Sequence, residues 1–524
     1  MRRLVTSLCA AALALGSGLV SGAFADNPVS PVDGGTAVDQ CYAQGSSSID
    51  DPGYKFCRSV QALVSGAAAA CRAPLRAAPD ATLPEYCGAF DGREVSESKV
   101  AAYERSWVHR ALTLQRGLDS AAPLWEAQMP HTHNSFNASA YAVPADGSLP
   151  SYYPTLTNQD PNQVYSMTDQ LRMDVRAIEI DLHWMPSPYG TAATHGYWPT
   201  MCHGDGQNPT GTGLWVHVGC TDDRPMQDGL AEVRRWLAAN PHQFVLLYLE
   251  NQLFPGGPVA SQQLAHDTAA GIVHDELGSM VYRPPAGLAA GACAPMPYDE
   301  TQAQMLAAGK QVLLVGNCGP GSGWNSWVFS RGPSWDESGS PTSYGAADCA
   351  KDEAAREQHT SFRRFFESSP WLEAMTGATT TLSASTTAQM VRCGVNIVGF
   401  DQLQPFDGRL AAFVWSWAAD QPASTGGSCA LRGADSRFVV APCSQRHRFA
   451  CVDAHLDWHA TTAVGQWQRG PAVCDVEFPG SHFGVPPNGY RNAQLGSADV
   501  WLDYRKLGQQ WQPNAVVGAH PHTG

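Results

Sequence analysis

The chain has few lysines, and it has no long internal apolar segment. The first feature argues against nucleic acid as a partner, and the second argues against an internal membrane anchor. Only five of its 33 basic residues are lysine, and the formal net charge is −15 at pH 7. An acidic chain gains no electrostatic attraction to the phosphates of nucleic acid. Beyond the N-terminus, no apolar run has the length that a bilayer-spanning helix needs. We therefore expect neither nucleic acid as a partner nor an internal membrane anchor.

The cysteines are numerous, but none of them forms a Cys-x-x-Cys pair, which argues against a zinc site. When Cys9 is set aside, four lie before residue 124, six between residues 202 and 393, and four after residue 428. Even numbers in each segment predict disulfides that close within segments, in an oxidising compartment. The spacing does not assign which cysteines pair.

The N-terminus has the pattern of a secretory signal peptide. Met1-Arg-Arg3 precedes a short apolar stretch that ends at Ala23-Phe-Ala25, a small-residue cleavage site. We expect residues 1–25 to be removed before Asp26, and the mature protein to be secreted and extracellular.

Three further segments follow in the sequence. Residues 26–123 are expected to form a helical, disulfide-containing segment, with one amphipathic helix from about Val95 to Leu118. Residues 421–524 form an extension rich in tryptophan and cysteine, predicted as a small disulfide-containing module. Between them, residues 124–420 alternate short apolar runs with helices.

The middle segment has the pattern of a parallel sheet covered on both faces. Near-continuous apolar strands are predicted at residues 177–182, 244–249, 311–315, 395–400 and 412–417, with helices at 225–239 and 261–276. A segment of this length favours a closed (β/α)8 TIM-type barrel over an open sheet. The polar motifs follow the strands, at the end where barrels carry their active sites.

A group of oxygen-bearing side chains predicts a divalent cation. Glu179 and Asp181 are two residues apart on one strand, so both side chains lie on one face. Glu250 ends a later strand, and Asn134 can add a neutral oxygen. Two carboxylates pointing into a barrel repel each other unless a cation binds, and hard oxygen ligands favour calcium, with magnesium as the second choice.

Two histidines suit charge stabilisation and proton transfer. His133 and His203 each follow a strand-like segment. His195 competes with His203 for the second role, and His203 is preferred because it lies nearer the loop that leads into the next helix. Asp401 and Trp417 also follow predicted strands and are candidates for substrate binding.

Together these residues resemble the catalytic domain of the calcium-dependent phosphoinositide-specific phospholipase C superfamily. The resemblance covers about residues 125–420. It is carried by His133-Asn-Ser-Phe136, Asp169-Gln-Leu171, residues 175–181, Cys202-His-Gly204 and Leu249-Glu-Asn251.

The resemblance implies a TIM-type barrel and a set of residue roles. The family's calcium ligands match Asn134, Glu179, Asp181 and Glu250. His133 matches the histidine that steadies the pentavalent phosphorane, and His203 matches the general acid. The family reaction begins with attack of the inositol 2-hydroxyl on phosphorus and gives a cyclic inositol phosphate. A metal-bound carboxylate, Glu179, would take the proton.

Two departures narrow the expected substrate. Members that cut polyphosphorylated inositol lipids need several basic residues around the headgroup, whereas this barrel segment has only Lys310 and Lys351 as lysines. The usual glycine before the Thr-His-Asn motif is replaced by His131. The expected substrate is therefore phosphatidylinositol or another small phosphodiester, with peripheral membrane contact.

Two alternatives remain open. A glycerophosphodiester phosphodiesterase uses a similar barrel, but its first motif is His-Arg-Gly where this chain has His-Asn-Ser. A secreted binding protein, with the aromatic extension engaging glycans or a surface, would need no catalytic set. The sequence does not indicate an oligomeric state.

Overall fold

The structure is a computed structural model. It describes residues 97–138, 140, 162–186, 189–201, 224–253, 259–289, 291–332, 335–339, 344–357, 361–367 and 382–513. It also gives the backbone of four two-residue strands, Tyr86–Cys87, Glu94–Val95, Gly206–Gln207 and Val216–His217.

A curled sheet of eight parallel strands forms the centre of the described chain. The strands are β1 (Met129–Thr132), β2 (Ala177–Pro186), β3 (Val245–Gln252), β4 (Val312–Gly316), β5 (Phe329–Ser330), β6 (Trp335–Gly339), β7 (Phe362–Phe366) and β8 (Ile397–Phe400). Their order across the sheet is β5-β4-β3-β2-β1-β8-β7-β6, and the two-residue strand Val281–Tyr282 also pairs in parallel with β4. The last strand therefore pairs with the first, and the predicted TIM-type barrel is confirmed.

One pair of consecutive strands is not joined. Among the described residues no ladder links β5 to β6, although every other pair of neighbours in chain order is hydrogen-bonded. We call this gap the seam. The strands adjoining the seam, β5 and β6, are the two ends of the curled sheet.

The alternation of side chains along β2 shows how the barrel separates two environments. Ile178, Ile180 and Leu182 are fully buried in the large core between the sheet and the surrounding helices. Glu179 and Asp181 lie on the opposite face, which points into the barrel. Apolar side chains fill the barrel interior near the ends where the strands begin. They include Ala177 on β2 and Tyr248 on β3.

Helices cover the outside of the sheet and join its strands. Their bounds are α1 (Glu97–Tyr103), α2 (Trp107–Asp119), α3 (Met167–Arg172), α4 (Met226–Ala239), α5 (Val259–Glu276), α6 (Gln302–Ala307), α7 (Ser322–Asn325), α8 (Ala346–Arg356), α9 (Ala384–Arg392), α10 (Gly408–Phe413), α11 (Gly470–Glu477) and α12 (Gly489–Gln494). Short 3-10 turns occur at Leu124–Glu126, Gly278–Met280 and Trp467–Arg469. Among the described residues, no helix combines the length and apolar character that crossing a bilayer requires.

Two expectations about these elements were wrong. The single helix from Val95 to Leu118 is two helices, because Ser106 interrupts it and caps α2 by accepting a hydrogen bond from the His109 N–H at 3.2 Å. The strand expected at 412–417 does not form. Asp407 caps α10 instead, and the chain then leaves the barrel.

The C-terminal residues form a β-rich module beside the barrel. Its strands are β9 (Cys429–Arg432), β10 (Phe438–Ala441), β11 (Arg448–Val452), β12 (Trp458–Ala460), β13 (His482–Phe483), β14 (Val500–Leu507) and β15 (Gln510–Pro513). The main path across the sheet is β10-β9-β14-β11-β12, with β13 paired to β11 and β15 to β14. Two smaller barrel-side strands, Tyr197–Met201 and Arg224–Pro225, extend β2 as an antiparallel ladder.

Among the described residues, four disulfides close within segments, as the sequence predicts. The barrel contains Cys293–Cys318 and Cys349–Cys393, and the module contains Cys429–Cys443 and Cys451–Cys474. The side chains of the remaining cysteines lie outside the described part of the chain.

A buried ion pair fixes the module to the end of the barrel where the strands begin. Arg491 donates to Glu126 at 2.6 Å, and both side chains are 2% exposed. Asn488 donates to the same carboxylate at 3.0 Å, while Arg356 of α8 donates to the Glu126 carbonyl at 2.6 Å. Because Glu126 comes just before β1, the module lies opposite the carboxyl ends of the strands.

We expect Arg491→Met to lower the free energy of unfolding by about 3–5 kcal/mol, because it leaves the Glu126 carboxylate buried without its cation. Urea denaturation measures the loss. The double variant Glu126→Gln/Arg491→Met should recover part of it. The control Tyr490→Phe removes a partly exposed hydrogen bond to Glu357 and should cost about 1 kcal/mol. A near-native midpoint for Arg491→Met would contradict this account of docking.

Candidate functional site

Three carboxylates meet inside the barrel. Glu179 and Asp181 come from β2 and Glu250 from β3, and the strand register places Asp181 directly beside Glu250. One carboxylate oxygen from each lies within 4.8 Å of the others. The structure thus brings together three of the four predicted metal ligands through the pairing of two neighbouring strands.

The three carboxylates do not titrate alike. Burial raises the pKa of Asp181 well above its usual range, and the charges of Glu250 and Glu179 raise it further. Burial and Glu179 likewise raise the pKa of Glu250. Burial acts in the same direction on Glu179, but the Arg364 guanidinium and two histidines outweigh it and hold its pKa far below the usual range.

The two oxygens of Glu179 have different surroundings. Oε2 accepts from Arg364 and from the backbone N–H of Asn134 at 3.2 Å. Oε1 is buried and has no hydrogen-bond partner among the described residues. A buried anionic oxygen without a donor is costly. It is the arrangement expected of a ligand atom for a cation, so the residues present fit a hard divalent ion.

The turn after β1 places Asn134 against this cluster. Its φ of 45° lies in the left-handed region, which asparagine tolerates better than most residues. Ser135 fixes the turn to β2 by accepting from the Glu179 N–H at 2.9 Å. The predicted fourth ligand, Asn134, is therefore beside Glu179.

His133 lies next to the cluster with its ring oriented by a carboxylate. Its Nδ1 is 3.3 Å from Asp401 Oδ1, and its Nε2 is 3.2 Å from the Asn134 side-chain nitrogen. The ring packs on Phe366 with centroids 4.8 Å apart. Burial lowers the pKa of His133 more than the surrounding carboxylates raise it. A neutral imidazole with Nδ1–H toward Asp401 leaves Nε2 as a proton acceptor.

Asp401 lies behind His133, away from the position expected of a substrate-binding residue. It is 4% exposed, and its side chain accepts from Asn162 at 3.1 Å. Its backbone N–H donates to Glu367 at 2.5 Å, and Glu367 is in turn paired with Arg409. This network holds the Asp401 carboxyl group beside His133.

The other predicted site residues lie elsewhere or outside the described part. His203 falls in the interval 202–205, which the structure does not describe. His195 is exposed in a turn with φ 55°. The prediction that Trp417 binds substrate is wrong. Trp417 is fully buried and packs on Phe438 and Trp511 of the C-terminal module.

Sequence reasoning missed Arg364, the cation beneath the carboxylates. It lies on β7, on the opposite side of β1 from β2, and is 2% exposed. It also contacts His131, the residue that replaces the family's usual glycine, through its Nε at 3.3 Å from His131 Nε2. The sequence signal is the aromatic run that forms β7. The Arg363-Arg364 pair interrupts this run and breaks the apolar pattern from which a strand is predicted.

Comparison with known proteins supports the family suggested by the motifs. Residues 92–407 match the family described as the Rv2075c PI-PLC-like domain. The chain belongs to this PI-PLC-like family. Two proteins of Mycobacterium tuberculosis, uncharacterized protein Rv2075c of strain H37Rv and uncharacterized protein MT2135 of strain CDC 1551, are each 34% identical to it over 425 residues. The aligned region covers 78% of this chain and 82% of each relative.

Solved structures similar to this PI-PLC-like protein are remote. A phosphatidylinositol-specific phospholipase C from Listeria monocytogenes is 13% identical, covering 57% of this chain and 97% of that one, with a TM-score of 0.33. A mutant of the Staphylococcus aureus enzyme of the same name is 11% identical, covering 59% and 98%, with a TM-score of 0.33.

We expect Gly399→Ala to destabilise the barrel interior of the PI-PLC-like domain. A Cβ there would lie 2.6 Å from His131 Cδ2 and 3.2 Å from Phe366 Cβ, and overpacking of this kind costs about 1–3 kcal/mol. Thermal denaturation reports the change. The control Gly408→Ala, whose Cβ would have its nearest contact at 3.8 Å, should be neutral. Equal melting temperatures for the two variants would contradict the packing described.

Proposed function

We propose that this chain is a secreted, calcium-assisted phosphodiesterase that cleaves phosphatidylinositol-type substrates through a cyclic inositol phosphate. The observation that carries the proposal is the carboxylate cluster with an open buried oxygen, placed beside a histidine–aspartate pair at the carboxyl ends of the barrel strands. Family membership supports the reaction class.

The proposed ion is calcium, held by Glu179, Asp181, Glu250 and the side-chain oxygen of Asn134. Carboxylate and amide oxygens are the ligands that calcium prefers. A bound calcium ion would lower the pKa of the attacking hydroxyl and offset charge on the phosphoryl oxygens.

The geometry favours His133 over Glu179 as the group that accepts the hydroxyl proton. A carboxylate held anionic by Arg364 is a weak base, because its conjugate acid is disfavoured. We propose instead that His133 Nε2 takes the proton. An ionised Asp401, 3.3 Å from Nδ1, would stabilise the imidazolium that forms.

His203 remains the proposed general acid that protonates the departing alcohol, with His195 as the alternative. We expect His203→Ala to lose about 10²–10⁴-fold in kcat on a substrate with an alkyl leaving group. A substrate with a nitrophenol leaving group needs little protonation and should lose much less. His195→Ala serves as the matched control and should keep its activity. The reverse pattern would assign the role to His195.

Four cations of the described barrel are already paired, which favours a headgroup without extra phosphates. Arg364 is buried and paired. Arg331 is engaged by Glu337 and by the Tyr248 hydroxyl, both at 2.7 Å. Lys351 pairs with Asp336, and Lys310 donates to a backbone carbonyl. Unphosphorylated phosphatidylinositol is therefore the proposed substrate.

The proposal is tested by incubating the purified protein with phosphatidylinositol vesicles, with calcium or with chelator, and following products by phosphorus NMR. We expect a calcium-dependent cyclic inositol phosphate. Glycerol 3-phosphate would favour a glycerophosphodiester phosphodiesterase. No turnover by a folded protein under either condition would reject this substrate class and favour the surface-binding alternative.

We expect His133→Ala to reduce turnover by about 10²–10⁴-fold, the usual contribution of one acid–base group. Asp401→Asn should fall between His133→Ala and the unmodified protein, since it weakens the orientation of the ring without removing it. Phosphorus NMR rates at saturating calcium measure both variants. Unchanged turnover by Asp401→Asn would contradict the positioning role.

A further inference from the structure

Arg364 is held rigidly beneath the carboxylate cluster. Its Nη2 donates to Glu179, its Nη1 to Glu337 at 2.9 Å, and its Nε to His131 Nε2 at 3.3 Å. The guanidinium lies over Phe366 at 4.5 Å and over Tyr248 at 4.9 Å. Every nitrogen of the guanidinium therefore has an acceptor, and its planar group rests on aromatic rings.

His131 supplies one of these contacts in a defined tautomer. Its Nδ1 lies 3.0 Å from the Ala177 carbonyl oxygen, which can only accept, so Nδ1 carries the proton. Nε2 can then accept from Arg364, and it also lies 3.4 Å from Glu179 Oε2. His131 is fully buried and carries no formal charge in this arrangement, so it holds the guanidinium without adding to the charge of the site.

The formal charges around the cluster sum to a simple value. When all three are ionised, as the ligands of a bound cation are, Glu179, Asp181 and Glu250 contribute three negative charges, and Arg364 contributes one positive charge. Glu337, its other anionic partner, is balanced by Arg331 at 2.7 Å. The geometry points to Arg364 as a fixed internal counter-ion that sets the cluster at two negative charges and so matches it to a divalent ion. This inference rests on the proposed cation site and deepens it.

Coulomb energy gives the inference a quantitative signature. The repulsion between Arg364 and a bound ion is proportional to the charge of that ion. Removing the guanidinium should therefore raise the logarithm of the binding affinity for both kinds of ion. The increase for a trivalent ion should be one and a half times the increase for a divalent ion. A gain of about tenfold for calcium implies a gain of about thirtyfold for terbium.

The experiment is calorimetric titration of the purified full chain with calcium chloride and with terbium chloride, at fixed ionic strength in a non-chelating buffer. Arg364→Met should bind calcium at least about tenfold more tightly than the unmodified protein, with a larger gain for terbium. Arg364→Lys keeps the charge and should stay within about threefold for both ions. No catalytic turnover is needed for either readout.

Circular dichroism shows whether Arg364→Met folds. If it does not fold, a second variant tests the same inference. Glu337→Gln removes a partly exposed negative charge beside Arg364. It should weaken calcium binding and weaken terbium binding more, the opposite sign to Arg364→Met.

The outcomes separate the two proposals. If the unmodified protein binds calcium, and Arg364→Met shows no gain in affinity or equal gains for calcium and terbium, the counter-ion role is overturned and the proposed function still stands. Binding of neither ion by the unmodified protein or by Arg364→Met would overturn the cation site itself, and the inference with it.

Discussion

The repulsion among three carboxylates enclosed in a barrel is the constraint on which the rest of this structure depends. Paired strands bring Glu179, Asp181 and Glu250 together, and burial makes their mutual repulsion expensive. Arg364 places one permanent positive charge beside the carboxylates. Among the described residues, one buried oxygen of Glu179 has no hydrogen-bond donor. The remaining negative charge is what the proposed calcium ion would balance.

The same constraint separates the roles proposed for the polar side chains. Glu179 is kept ionised by its ion pair with Arg364, so it is a poor proton acceptor. Burial lowers the pKa of His133, and the Asp401 carboxyl group lies 3.3 Å from its Nδ1. The Asp401 backbone is itself held by Glu367 and Arg409. Asn134 connects the two groups, because its backbone N–H donates to Glu179 and its side chain contacts His133.

Sequence periodicity predicted the barrel and its carboxylates because β2 and β3 are long and alternate cleanly between faces. It failed where strands are short or carry charge. The Arg363-Arg364 pair hid β7, and with it the counter-ion that lies next to β2 only after the sheet curls. The aromatic run ending at Trp417 was mistaken for a strand because burial against a separate module produces the same apolar pattern. Contacts between residues that are far apart in the chain leave no pattern in the local sequence.

The seam between β5 and β6 gives the barrel a mechanical asymmetry. Residues of the candidate site come from β3, β2, β1, β7 and the end of β8, which form an unbroken hydrogen-bonded arc in the middle of the sheet. Among the described residues, the seam lies on the far side of the barrel from that arc. The distances among the candidate site residues are therefore set by continuous strand pairing and do not depend on how β5 and β6 meet.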